Sequence, residues 1–352
     1  MKFVDLAYEN KVSDSLSVER NREIADSGKY LMGENAKKFS KVFSIDQDVK
    51  NCVLLKNATD ALAMTFIHLR ASERTVIVPQ FGAYPTVVAA MQAGTKQIIG
   101  CAVDDTLTMD LTGVDVPKRS IIVPVNLFGN ECDMKKIRQI ADATGDCTIV
   151  EDCAQSTGIP NSRLSDFMVH SFYPTKPLGC RGDGGAVLTN DDFATECLNK
   201  SKFYGLNQEG LIDTWGMNSR IDEWQSSHLL SKVHLYREMN DIRRKNAFKY
   251  AFSTVRYTKN CVYHQYVCLF KNRDAIRDVF TSRGIPTMIH YPVMLRDMPY
   301  LTDKVKYTDC KKVSDHVLSL PVGPHLTNDD SDLIVETLQE VSKERIYFED
   351  ID

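Results

Sequence analysis

The sequence predicts an α/β fold, with a large, mostly parallel sheet domain flanked by helices and a smaller C-terminal α/β domain behind it. Three observations carry that expectation. Short apolar runs alternate with helical patterns between residues 52 and 190. The runs are continuously apolar, which is how strands covered on both faces read. With 43% apolar side chains in 352 residues, the chain can bury a sizeable core.

The strands expected in order are Thr75-Val76-Ile77-Val78, Gln97-Ile98-Ile99, Ser120-Ile121-Ile122-Val123, Cys147-Thr148-Ile149-Val150, Met168-Val169-His170-Ser171 and Gly185-Ala186-Val187-Leu188. Between them Asn57 to Ala71, Tyr84 to Gly94 and Asp133 to Gly145 read as helices, the last two closed by glycine. Residues 1–220 form the large domain. From Arg220 to about Val255 apolar positions recur at three- and four-residue steps, which predicts one long connecting helix over 221–255. Residues 256–352 then form the small domain. It has a strand at Tyr263 to Phe270, a helix at Arg273 to Arg283 capped by Asn272 and stopped by Gly284, strands at Pro286 to Tyr291 and Val317 to Leu320, and a helix at Asp329 to Val341.

Charged residues are 26% of the chain, with both signs interspersed and a formal net charge of -4. That balance supplies no footprint for nucleic acid or an anionic membrane, so a small-molecule partner is expected. Ten cysteines are scattered from Cys52 to Cys310 without a Cys-x-x-Cys pair, as in a reduced intracellular protein. The eight histidines lack metal spacing, and no metal is expected. The amino terminus reaches charged residues too soon for a secretory signal. No run approaches the ~18 apolar residues of a membrane span. A soluble, cytoplasmic protein is expected.

Three constellations carry chemistry. Val150-Glu151-Asp152-Cys153-Ala154-Gln155 puts Asp152 at the end of a buried strand, where α/β ligands bind. A carboxylate there can pair with a protonated pyridine nitrogen and keep that ring an electron sink, with Gln155 in reach of a ring hydroxyl. Ser171-Phe172-Tyr173-Pro174-Thr175-Lys176, followed by the glycines of Gly182-Asp183-Gly184-Gly185, can turn Lys176 inward. A desolvated amine there becomes nucleophilic. Lys56-Asn57-Ala58-Thr59-Asp60-Ala61-Leu62 runs from a strand end into a helix, whose first amides suit a phosphate. Taken singly, each also reads as something ordinary: a capping acid, a solvated lysine, a plain helix start. The set and its order separate the readings, with Lys176 standing 24 positions beyond Asp152.

In that order the chain resembles the DegT/StrS-type nucleotide-sugar aminotransferases, over residues from about 25 to 325. Further matching segments are Tyr30-Leu31-Met32-Gly33 with Phe39, Val76-Ile77-Val78-Pro79, Asn218-Ser219-Arg220 and His290-Tyr291-Pro292. The resemblance implies the fold-type I aminotransferase architecture and pyridoxal 5'-phosphate as cofactor. By the same resemblance Lys176 carries the cofactor as a Schiff base, Asp152 holds the ring nitrogen and Gln155 meets the ring hydroxyl. Ala58, Thr59 and Ser171 bind the phosphate, and Asn218 reaches the phosphate of a neighbouring subunit, which makes a homodimer with shared active sites. Asn126, Arg181, Arg220, His290 and Tyr291 are the substrate-side candidates. The sequence departs from the family at three places. Ala58 stands where glycine is common. Asn126, in Val125-Asn126-Leu127-Phe128-Gly129, stands where histidine is usual. In Phe81-Gly82-Ala83-Tyr84 the ring-stacking aromatic falls on Ala83, so Tyr84 is the candidate for stacking on the cofactor.

The implied reaction takes an amino group from glutamate to a nucleotide-linked keto-sugar. A UDP- or dTDP-4-keto-6-deoxyhexose is the first expectation and a 3-keto sugar its alternative. A sugar dehydratase on the same fold and a non-catalytic ligand sensor are the competing readings. The presence of Lys176 speaks against the first, and the presence of both Lys176 and Asp152 against the second. A dinucleotide oxidoreductase fails because Gly179-Cys180-Arg181-Gly182 does not supply Gly-x-Gly-x-x-Gly between a strand and a helix.

Overall fold

Two helices precede the sheet in the computed structural model, which describes residues 1–352 apart from the side chains at 12 and 14–16. These are α1 (Leu6–Ser27) and α2 (Glu34–Asp46). The alternating region follows as β1 (Asn51–Leu55), α3 (Ala58–His68), β2 (Thr75–Pro79), α4 (Pro85–Gln92), β3 (Gln97–Val103), β4 (Met109–Asp110) and β5 (Ile121–Ile122). It continues through α5 (Met134–Thr144), β6 (Thr148–Asp152), β7 (Phe167–Ser171), β8 (Gly185–Thr189) and α6 (Asp192–Ser201). The C-terminal part holds α7 (Glu223–Lys232), α8 (Tyr236–Tyr250), β9 (Tyr266–Leu269), α9 (Arg273–Ser282), β10 (Val305–Tyr307), β11 (Val317–Leu320) and α10 (Asn328–Glu340).

The large sheet runs β1-β8-β7-β6-β5-β2-β3-β10, with β4 paired to β3. The strands from β7 to β10 in that order are parallel, and β8 lies antiparallel between β1 and β7. Both faces are covered, which is why the strands read as unbroken apolar runs. Leu55, Val169 and Val187 face the layer of α3, α4 and α6. Leu54, Met168 and Leu188, one residue out of step, face Phe39 and Phe43 of α2 and Leu229 of α7.

Local signals set the helix starts. Asn57 Oδ1 accepts from the Asp60 N–H at 2.7 Å, and Asp133 and Asn272 cap α5 and α9 in the same way. α9 gives way to Gly284 at φ 73°, in the left-handed region that glycine tolerates best. A buried charge cluster pins α1 to the helices behind it. The two oxygens of Glu9 accept from Lys232 Nζ and Arg243 Nη2, both at 3.1 Å. Such a set adds little net stability, but removing one partner costs about 3–5 kcal/mol.

The structure corrects three expectations. The long helix over 221–255 is two helices, α7 and α8, joined by a tight turn in which the Leu235 N–H donates to the Lys232 carbonyl. Leu229, Val233 and Tyr236 keep helical spacing across this turn and pack into one cluster, so the apolar pattern reads as one helix although the backbone breaks there. Pro286 to Tyr291 is not a strand. Only Met288 pairs with β11, through an isolated bridge to Ser319. Residues 256–352 do not form a wholly separate unit either, because β10 returns to the large sheet alongside β3 and Leu295, Leu301 and Val305 join its core.

Candidate active site

The carboxyl ends of β1, β7 and β6 lie at one end of the sheet, and the chemistry-bearing residues leave from there. Leu55 of β1 and Ser171 of β7 both pair with Gly185 of β8. A Cβ on Gly185 would stand 2.4 Å from the Asn57 carbonyl carbon and 2.6 Å from the Ala58 nitrogen. Glycine is therefore what lets the start of α3 settle against the sheet beside Ser171. Asn57 caps the Asp60 amide, and among the described residues no hydrogen bond occupies the Ala58 and Thr59 amides. Open amides at a helix N-terminus, next to the strand end that carries Ser171, are the kind of donors an anion takes. Ala58 is not among the positive-φ residues, so alanine serves at this position without strain.

Asp152 ends β6 with its carboxylate buried. Oδ1 accepts from the Ala154 N–H at 3.0 Å and Oδ2 from Thr86 Oγ1 at 2.8 Å. Burial pushes its pKa up, while the Ala154 amide, the Thr86 hydroxyl and the charge of Lys176 pull it down. Lys176 follows β7 in a turn closed by its own N–H donating to the Tyr173 carbonyl at 2.9 Å. Gly179 makes that turn possible, since a Cβ there would meet the Pro174 carbonyl oxygen at 2.3 Å. Burial lowers the Lys176 amine to about 8, with the Asp152 charge acting in the opposite direction. Amine and carboxylate thus feel each other inside the protein, at the carboxyl ends of neighbouring strands.

Two histidines are lowered by burial and by the lysine charge that they sense. His290 is lowered to about 4 by burial and by Lys176, and its Nδ1 lies 2.9 Å from Ser319 Oγ. Burial, with the charges of Lys176, Arg243 and His290, also lowers His264. Gln155 is buried between the Phe128 amide and the Tyr291 hydroxyl. Tyr84 is half-buried, with its ring centroid 5.6 Å from that of Tyr291.

Four expected residues lie elsewhere. Asn126 is corrected to a structural residue: its Nδ2 donates to Glu151 Oε1 at 2.8 Å and to Ser156 Oγ at 3.2 Å, and its Oδ1 accepts from the Cys132 N–H at 3.0 Å. Glu151 and Asp152 are consecutive strand residues and point to opposite faces, so Asn126 is held on the face away from Asp152. Arg181 is exposed, its backbone N–H donating to Gln225 Oε1 at 2.8 Å. Asn218 is exposed too. Its Oδ1 accepts from Arg220 Nη2 at 2.7 Å, and that guanidinium lies 4.7 Å from the Phe203 ring centroid. Within one chain these three do not join the group around Lys176. Thr86 and His264 are the contributors the sequence reading did not name. The one available signal was that Thr86 opens a helix after a strand end, where α/β ligands gather.

The profile of the DegT/DnrJ/EryC1/StrS aminotransferase family matches residues 12–339. The chain is 30% identical to UDP-2-acetamido-2-deoxy-3-oxo-D-glucuronate aminotransferase of Pseudomonas aeruginosa, covering 93% of this chain and 96% of the relative. It is 30% identical to dTDP-3-amino-3,4,6-trideoxy-alpha-D-glucose transaminase of Streptomyces venezuelae, covering 96% and 95%. Among solved structures, S. venezuelae DesV in complex with a ketimine intermediate superposes with a TM-score of 0.90 at 28% identity, over 98% of this chain and 99% of that one.

Proposed function

The chain belongs to the DegT/DnrJ/EryC1/StrS aminotransferase family of pyridoxal-phosphate enzymes, and on that premise we propose that it carries the amino group of glutamate to the carbonyl of a nucleotide-linked keto-sugar. The observation that carries this reading is the meeting of a buried carboxylate, a half-buried amine of lowered pKa and a free-amide helix start at one end of the sheet.

These residues fit the cofactor. The Ala58 and Thr59 amides and the Ser171 hydroxyl suit its phosphate, Asp152 its ring nitrogen and Lys176 its aldehyde carbon. When bound, pyridoxal phosphate supplies that aldehyde and a ring that accepts an electron pair from the neighbouring carbon. Asp152 holds the proton on the ring nitrogen. The Lys176 amine, its pKa lowered by desolvation, in its neutral form takes the proton from the substrate carbon and returns it on the cofactor side. His290 and Tyr291 face the substrate. Asn218 serves the phosphate of a second copy, so the enzyme works as a homodimer, and the exposure of Asn218 supports that reading.

The two relatives above are named for position three of the sugar. Those names favour amination at carbon three over the carbon-four outcome that the sequence alone put first. UDP- and dTDP-linked 3-keto and 4-keto sugars, each incubated with glutamate and followed by NMR, test the proposal. Expected is one 2-oxoglutarate per sugar aminated at carbon three. A deoxygenated product would instead support a dehydratase, and the absence of any 2-oxoglutarate a ligand sensor.

The lowered lysine also predicts a pH profile. Only the neutral amine captures an aldehyde, and its fraction grows as pH rises through the pKa. Capture of pyridoxal phosphate by the cofactor-free protein should therefore accelerate through about pH 8 and level off above it. A rate still climbing towards the ordinary lysine value of 10.5 contradicts burial of this amine.

A further inference from the structure

Gln155 is held from two directions. Its Oε1 accepts from the Phe128 N–H at 2.7 Å, and its Nε2 donates to the Tyr291 hydroxyl at 3.1 Å. A backbone N–H can only donate, so the first contact decides which way round the amide sits: oxygen towards Phe128, nitrogen towards Tyr291. The Phe128 amide is itself aimed by an uncommon backbone, with φ at 61° in a non-glycine residue. The loop is clamped there. The Gly129 carbonyl accepts from the Val262 N–H at 2.9 Å, and a Cβ on Gly129 would stand 2.7 Å from Val262 Cγ2 and 3.1 Å from the Gln155 carbonyl oxygen.

Tyr291 comes from the C-terminal part of the chain, 136 positions from Gln155. Its ring stacks near Phe128 at 6.4 Å and 16°, with Phe81 and Tyr84 closing around it. Burial raises its hydroxyl to about 12, so at neutral pH it is an uncharged group able to receive the Gln155 proton. The oxygen of Gln155 is occupied and one Nε2 hydrogen is spent on Tyr291, which leaves the second Nε2 hydrogen for a further acceptor.

We propose that Tyr291 is a positioning residue which, with the Phe128 amide, locks Gln155 so that an N–H and not a carbonyl oxygen meets the cofactor's ring oxygen. The inference rests on the reading that Gln155 contacts that oxygen. Its consequence is electrostatic. A donor on the ring oxygen competes with the proton on the lysine–cofactor nitrogen for that oxygen, so the donor makes that proton easier to lose. Joining two parts of the chain, the lock also makes Gln155 sensitive to how the C-terminal part sits on the sheet.

The test is the pH at which the bound cofactor's visible absorption changes, measured in Tyr291→Phe, Gln155→Ala and the double variant, with thermal melting as a control for folding. Tyr291→Phe keeps the ring and removes only the hydroxyl. It should raise that midpoint by about 0.5–1 pH unit, the equivalent of one hydrogen bond. The other titratable groups near the site, namely Asp152 at the end of β6, His264 before β9, His290 beside β11 and Tyr84 before α4, are unchanged in all three variants. Gln155→Ala should raise the midpoint at least as far, and adding Tyr291→Phe to it should move it no further. An equal Tyr291→Phe shift with and without the Gln155 amide overturns the lock. No shift in Gln155→Ala, or in Gln155→Met should the alanine variant not fold, overturns the underlying contact instead.

Discussion

Lys176→Ala is expected to yield a folded protein that has lost turnover by the upper end of the ~10²–10⁴ range attributed to a positioned proton-transfer group. The expectation follows from where the amine sits. Burial lowers it to about 8 with only the Asp152 charge opposing, so the folded chain bears a cost for keeping it there that a surface lysine would not. Among the described residues no hydrogen bond ties the Lys176 amine to its surroundings; the bond its backbone makes to the Tyr173 carbonyl survives substitution by alanine. The variant should accordingly melt no lower than the parent, while glutamate-dependent formation of 2-oxoglutarate falls away and the cofactor washes out on desalting. Turnover within about tenfold of the parent would remove Lys176 from the proton path.

Asp152→Asn is the second large effect, and it isolates charge from shape. Asparagine can keep both contacts of the carboxylate, accepting from the Ala154 N–H through Oδ1 and donating through Nδ2 to Thr86 Oγ1. What it removes is the negative charge that holds a proton on the ring nitrogen. Turnover should fall by about 10²–10³, the loss typical of removing one preorganised electrostatic partner, with cofactor still bound. A second readout is independent of turnover. The Asp152 charge raises the Lys176 amine, so without it the pH midpoint for cofactor capture by the cofactor-free protein should move below about 8. A midpoint that stays in place, together with near-parent turnover, would show that the two groups do not sense each other.

What the sequence disclosed depended on whether a signal was local. Asn57, Asp133 and Asn272 stand immediately before their helices and cap them, the helix starts lying where the sequence put them and the Asn272 cap being the one expected by name. Asp152 and Lys176 were legible because each leaves the end of a buried strand whose unbroken apolar character marks it as covered on both faces. Asn126 was misread because the pattern around it does not say which face its side chain takes, and that face is decided by Glu151 on a different strand. Thr86 was overlooked for a similar reason: its contact with Asp152 spans 66 positions, and its place at the start of a helix after a strand end was the one local hint. The break between α7 and α8 was hidden because Leu229, Val233 and Tyr236 keep helical spacing across it. The contact of Tyr291 with Gln155 belongs to the same class, for it exists only once the C-terminal part of the chain has packed against the sheet.

The central claim is that one amine, that of Lys176, holds the cofactor. Reduction of the cofactor-loaded protein with borohydride fixes the cofactor to whichever amine holds it, and proteolysis with mass spectrometry then finds the modified peptide. The account predicts a single pyridoxyl-phosphate adduct, on the peptide carrying Tyr173-Pro174-Thr175-Lys176. An adduct on any other lysine, or no adduct on a protein that still transaminates, would contradict it.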